Sequence, residues 1–233
     1  HTTAVMGHTR MTTQGDGTFN PNNHPFPGVS GQTRFALAHN GVLHNDDDLK
    51  ERYHLPKTNI RTDSYVAVQL LEQDGRLDAE TGNAASLLEG TFSLSVLDQF
   101  NNLYLIKGNS PLCIYRFENG LLCYASTADI LKEALNRCRF LSGSKEIIGI
   151  SEGDILCIRP DGRLQMSRFD TTNLNKRLRW WNCGDYYFFE PKQNRILTDD
   201  TRTPLDELLE TACNMGFIED DILMLLRRRS GRC

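Results

Sequence analysis

Between residues 91 and 125, four apolar stretches of strand length follow one another, at 91–97, 103–107, 112–117 and 121–125. They are separated only by Asn101-Asn102, Asn109-Ser110-Pro111 and Asn119-Gly120. Asparagine, glycine and proline at such breaks are turn formers, so the run reads as successive strands. Helical patterns lie in blocks on either side of it. A short helix is expected at 46–52, with Asn45 as its cap and three acidic residues in its first turn. A second should start at Thr62 or Asp63 and run to about Gln73, closed by Gly75; a third should cover 79–88 and a fourth 128–138. Two more strands, 147–150 and 154–159, turn back through Pro160-Asp161-Gly162. Blocks of strands and helices, rather than strict alternation, predict an α+β layered fold with mainly antiparallel sheets.

With 233 residues and 39% hydrophobic content, the chain is long enough to bury a core as one large domain, or as one domain with an appendage. The texture changes after Asp170. Residues 171–200 mix polar side chains with the aromatic cluster Trp180, Trp181, Tyr186, Tyr187, Phe188 and Phe189, and two helices are expected from Thr203-Pro204 to Arg229. This divides the chain into a domain at 1–170 and a linker with a helical C-terminal appendage at 171–233. The helical pair ends in Arg227-Arg228-Arg229, but its second helix opens on Glu219-Asp220-Asp221, which phosphates would repel. A formal charge of -4 gives no global pull toward nucleic acid or an anionic membrane. No apolar run reaches spanning length and no signal-peptide pattern opens the chain, so a cytoplasmic location is expected. Seven cysteines, odd in number and without a Cys-x-x-Cys pair, read as reduced thiols, and no set of them has zinc-ligand spacing.

The chemistry-bearing strings lie in the first third. Gly7-His8-Thr9-Arg10 and Thr13-Gln14-Gly15 precede a loop dense in Gly, Asn, Pro and Thr over 12–31, which contains Asn23-His24-Pro25. Ala38-His39-Asn40-Gly41 and Thr62-Asp63-Ser64 follow. A guanidinium such as Arg10 grips a carboxylate with two parallel charge-assisted hydrogen bonds, and alone it would be an ordinary surface arginine. Asn40-Gly41 between two apolar stretches is by itself the strongest short signal for a two-residue hairpin turn. Asp63 by itself reads as a helix cap.

Taken together, in this order, these strings resemble the glutamine pocket of class II glutamine amidotransferases. Weaker echoes at Gly90-Thr91-Phe92, Ser110-Pro111-Leu112 and Ala125-Ser126-Thr127 extend the resemblance to about residue 159. It implies the four-layer αββα sandwich of N-terminal-nucleophile hydrolases. It also implies that Arg10 and Thr13 hold the α-carboxylate of glutamine, that His24 lies near the pocket, and that Asp63 takes the α-ammonium. Asn40 and Gly41 become the oxyanion-hole donors, the catalytic pair. Tyr65 stands where the family usually has glutamate, and Met11 where it has an aromatic residue. The family's nucleophile is an amino-terminal cysteine upstream of the first string. This chain begins at His1, so the expectation is a fold lacking its first strands, a nucleophile outside the sequence and no turnover by this chain alone. No metal or organic cofactor is expected. The implied partners are L-glutamine and an unidentified ammonia acceptor or synthase, and a homo-oligomer is allowed. The competing expectation is a non-catalytic relative that binds an amino acid or a protein.

Overall fold

A computed structural model describes residues 3–9, 16–138 and 143–174. The expected helical pair beyond residue 203, and all but the first residues of the expected appendage, lie outside these.

After a single 3-10 turn at Asn20–Asn22, the described chain forms nine strands and four helices. The strands are β1 (Phe26–Ser30), β2 (Thr33–Leu43), β3 (Gly90–Asp98), β4 (Leu103–Lys107), β5 (Cys113–Phe117), β6 (Leu122–Ala125), β7 (Lys145–Ile147), β8 (Asp154–Ile158) and β9 (Leu164–Arg168). The helices are α1 (Asp46–Arg52), α2 (Tyr65–Asp74), α3 (Leu77–Leu87) and α4 (Ala128–Arg137). Six strands form one sheet in the order β1-β2-β3-β4-β8-β9, and three form a second in the order β6-β5-β7. Every pairing is antiparallel.

Three cores account for four layers. Along β4, Tyr104 and Ile106 turn to one side with Val96, Ile155 and Cys157, where they meet α2 and α3 through Val66, Leu70, Ala84 and Ala85. Leu103 and Leu105 turn to the other side, with Leu156 and Ile158, and meet Ile114, Leu122 and Tyr124 of the smaller sheet. The outer face of that sheet packs Tyr115 and Phe117 against Leu131 and Leu135 of α4. The period of two in a strand delivers alternate residues to opposite faces, so a strand apolar on both faces is buried on both sides. The order helix, sheet, sheet, helix is the αββα arrangement.

Local chemistry sets most element ends. Gly75 closes α2 in the left-handed region at φ 73°, where glycine carries no Cβ penalty. Thr127 caps α4 by accepting the Ile130 N–H. Other ends differ from the sequence reading. Asn40-Gly41 makes no hairpin turn: both residues sit inside β2, paired to Ser93 and Phe92. The long register from Phe35–Asp98 to Leu43–Gly90 outweighs the local turn preference. Asn45 does not cap α1 with its side chain. That side chain instead takes the Leu87 carbonyl at 2.9 Å and the Glu89 N–H at 3.0 Å, tying α1 to the end of α3. The loop expected to reach residue 31 ends earlier, in β1, because Phe26, Gly28 and Ser30 find a buried face against β2. The strand expected at 147–150 is the shorter, earlier β7, placed by its pairing with β5.

Candidate functional site

The order of the strings is converted into a site by β2 and the start of α2. His39, Asn40 and Gly41 lie in the middle of β2, and Thr62, Asp63 and Ser64 enter α2 just beside them, all three buried. Gly41 adopts φ +136°, and a Cβ there would stand 2.0 Å from the Thr91 carbonyl oxygen. Only glycine permits this backbone. Asn40 lines a cleft of about 1110 Å³ that opens between the two sheets, with Gly7, His8, Ser93, Leu112 and Tyr124 also in its wall. The Asn40 Nδ2 donor is buried and has no hydrogen-bond partner among the described residues.

Around this segment the hydrogen bonds are dense. The His39 ring bonds Ser64 Oγ through Nδ1 at 2.7 Å and the Thr91 carbonyl through Nε2 at 3.2 Å. Its backbone N–H donates to His24 Nδ1 at 3.1 Å, and its carbonyl meets His8 Nε2 at 3.0 Å. The His8 and His24 rings lie 4.3 Å apart, and the His24 and His39 rings stack at 6.3 Å. At the far end, Asp63 Oδ2 accepts the Leu43 N–H at 2.6 Å, while Ser64 Oγ stands 3.4 Å from Asp63 Oδ1. Burial pushes the pKa of His39 down; the Asp63 charge and the Thr91 carbonyl oppose this.

β3 is backed by the turn after β4. Asn109 Oδ1 accepts the Phe92 N–H at 3.1 Å, and Ser93 Oγ donates to the Ser110 carbonyl at 2.6 Å. Lys107 Nζ donates to the Gly108 and Ser110 carbonyls, and burial pushes its pKa down against the opposing charge of Glu152. These contacts brace the strand that pairs with Asn40 and Gly41.

Of the residues singled out from sequence, Asn40, Gly41, Asp63 and His24 fall in one hydrogen-bonded neighbourhood, and Asn40 reaches the cleft wall. Asp63 is 3% exposed. It is not the cap of α2, since its carboxylate turns to Leu43 instead. Arg10 and Thr13 lie outside the described residues. His8, His39, Ser64 and Asn109 were given no role from sequence. Each stood inside a recognisable string, but a hydrogen bond across 25 residues, such as His39 to Ser64, has no signature in local spacing. No group of three metal-binding side chains occurs among the described residues.

Comparison with known proteins matches residues 8–133, more than half of the chain, to the family described as glutamine amidotransferase domain. Similar curated proteins include the glutamine–fructose-6-phosphate aminotransferase of Listeria monocytogenes serovar 1/2a, 34% identical over 69% of this chain and 26% of the relative. That of Streptococcus pyogenes serotype M6 is 30% identical over 88% of this chain and 34% of the relative. The chain thus spans about a quarter to a third of their length. Among solved structures, the glutamine phosphoribosylpyrophosphate amidotransferase of B. subtilis superposes with a TM-score of 0.56 at 20% identity, covering 70% of this chain and 34% of that one. This likeness shows that the two chains share their fold. The ordered strings, the αββα layers and the family match together make this chain a member of the glutamine amidotransferase domain family, class II.

Proposed function

We propose that this chain supplies the glutamine-binding and oxyanion-stabilising part of an amidotransferase that cleaves the side-chain amide of L-glutamine to glutamate and ammonia. When a thiolate attacks that amide, charge develops on its oxygen, and donors already aimed at the oxygen lower the barrier. Asn40 Nδ2 and the Gly41 N–H are the proposed donors, each worth about a hundredfold to a thousandfold in rate. Arg10 and Thr13 hold the α-carboxylate. Asp63 offers Oδ1, the oxygen that Leu43 leaves open, to the α-ammonium. His24 supports the Asn40 side of the segment by accepting the His39 N–H. The thiolate is a terminal cysteine in the family, and the seven cysteines of this sequence all lie at or beyond position 113. By itself, therefore, the 233-residue chain should bind glutamine without turning it over. The curated relatives act, by name, on fructose 6-phosphate, and a sugar phosphate is the acceptor class carried over from them.

The observation that carries this reading is the buried Asn40 amide donor, without a partner among the described residues and set in the wall of the cleft. A buried donor costs free energy unless something accepts from it, and a substrate carbonyl does so. The test is calorimetry of the 233-residue chain with L-glutamine. Arg10→Ala and Asp63→Ala should each weaken binding about tenfold or more, the scale of a charge-assisted contact. No measurable heat with glutamine, or equal affinity in both variants, would overturn the assignment.

A further inference from the structure

The dipeptide Asp63-Ser64 touches both ends of the segment that carries the oxyanion donors. Ser64 holds the His39 ring just before Asn40, and Asp63 holds the Leu43 N–H just after Gly41. The carboxylate proposed for the substrate's α-ammonium is therefore bonded to the strand proposed for its amide oxygen. The Ser64 hydroxyl lies between two acceptors, His39 Nδ1 at 2.7 Å and Asp63 Oδ1 at 3.4 Å, and it has a single hydrogen to give.

Which acceptor receives that hydrogen follows from the other side of the imidazole. The Thr91 carbonyl can only accept, so His39 Nε2 carries a hydrogen. In the neutral ring Nδ1 is then an acceptor, the Ser64 hydrogen points to it, and Asp63 Oδ1 keeps its lone pairs open. If His39 takes up a proton from solvent, Nδ1 becomes a donor, Ser64 Oγ must accept, and its hydrogen turns to Asp63 Oδ1. We propose that Ser64 is a positioning residue whose hydroxyl orientation, set by the state of His39, frees or takes up one lone pair of the Asp63 oxygen that receives the α-ammonium, in competition with that ammonium. This rests on the glutamine-site reading above. The groups facing His39 are Ser64 and Asp63 at the start of α2, the Thr91 carbonyl of β3, the stacked His24 ring, and His8 on its carbonyl. Asp63 is the charged one among them, and desolvation keeps the ring neutral near neutrality. Glutamine binding should therefore weaken on acidification.

The experiment compares the 233-residue chain with Ser64→Ala and Ser64→Thr, by imidazole 15N spectra and by glutamine calorimetry from about pH 8 downward through and below about pH 6.5, the ordinary histidine value that burial lowers here. The expected spectrum shows His39 as the Nε2–H tautomer with a hydrogen-bonded Nδ1. Affinity should fall about tenfold on acidification, the loss of one contact to a charged group, in the parent and in Ser64→Thr. In Ser64→Ala, the Nδ1 resonance should move to that of an unbonded ring nitrogen and the acid fall should disappear. An Nδ1–H tautomer in the parent overturns the proposal without any variant. So does a Ser64→Ala protein with the parent's resonance and pH profile. If the parent binds no glutamine at any pH, the glutamine reading fails. The Nδ1 shift and its rescue by threonine then decide the Ser64–His39 contact on their own.

Discussion

At the residue scale, Gly41 shows how one side-chain hydrogen supports the site. Its φ of +136° and the 2.0 Å approach of a would-be Cβ to the Thr91 carbonyl leave alanine no way to keep the register of β2 with β3. Gly41→Ala should lower stability by about 1–3 kcal/mol, the cost of a forbidden backbone conformation, with a further loss from the clash. Urea denaturation measures this, and a variant as stable as the parent would show that β2 relaxes around the added methyl. The same glycine carries an N–H proposed for the oxyanion, so its conformational freedom serves both packing and chemistry. His39 is the second case. It is 3% exposed, and burial holds its folded pKa below the unfolded value of about 6.5. The unfolded chain therefore binds the proton more readily. The stability His39 contributes as a neutral ring is present above about pH 6.5 and is lost as pH falls through and below that value. Denaturation midpoints at pH 7.5 and pH 5, compared between the parent and His39→Gln, should converge on acidification; a constant difference across that range would argue against a buried neutral ring.

At the scale of elements, side chains that look like local caps serve as ties between elements. Asn45 bonds the end of α3 and the approach to β3 rather than the first turn of α1. Asn45→Ala should cost about 1–3 kcal/mol by leaving the Leu87 carbonyl and the Glu89 N–H without their partner. Thr127, a true cap on α4, should cost about 1 kcal/mol when changed to alanine. Thermal melts of the two variants side by side give the comparison, and a larger loss at Thr127 would reverse the ranking. The expected strands at 91–97 and 103–107 match β3 and β4 to within a residue at each end. Their ends are turns made by Asn and Gly, which act locally. The Asn-Gly pair in β2 misleads for the opposite reason. Its backbone is held in register with nine residues of β3, and a local turn preference does not outweigh that pairing.

At the scale of the whole molecule, the blocks of strands and helices made an antiparallel α+β fold legible in the sequence, while the four-layer arrangement entered only as what the family resemblance implies; in the structure, β4 and β8 are apolar on both faces and carry a layer on each side. The family was legible too, because the strings from Gly7 to Ser64 occur in a recognisable order. By itself, then, the sequence determined the α+β class, the run of antiparallel strands and most helix positions. These depend on neighbours a few positions apart, and local spacing records such relations. Tertiary structure alone decided that Asn40-Gly41 is a strand centre, that Asp63 bonds Leu43 instead of capping α2, and that Ser64 reaches His39. Each is a contact across 20 or more residues, formed only when two sheets and a helix close on one another, and no periodicity along the chain encodes where such distant groups will meet.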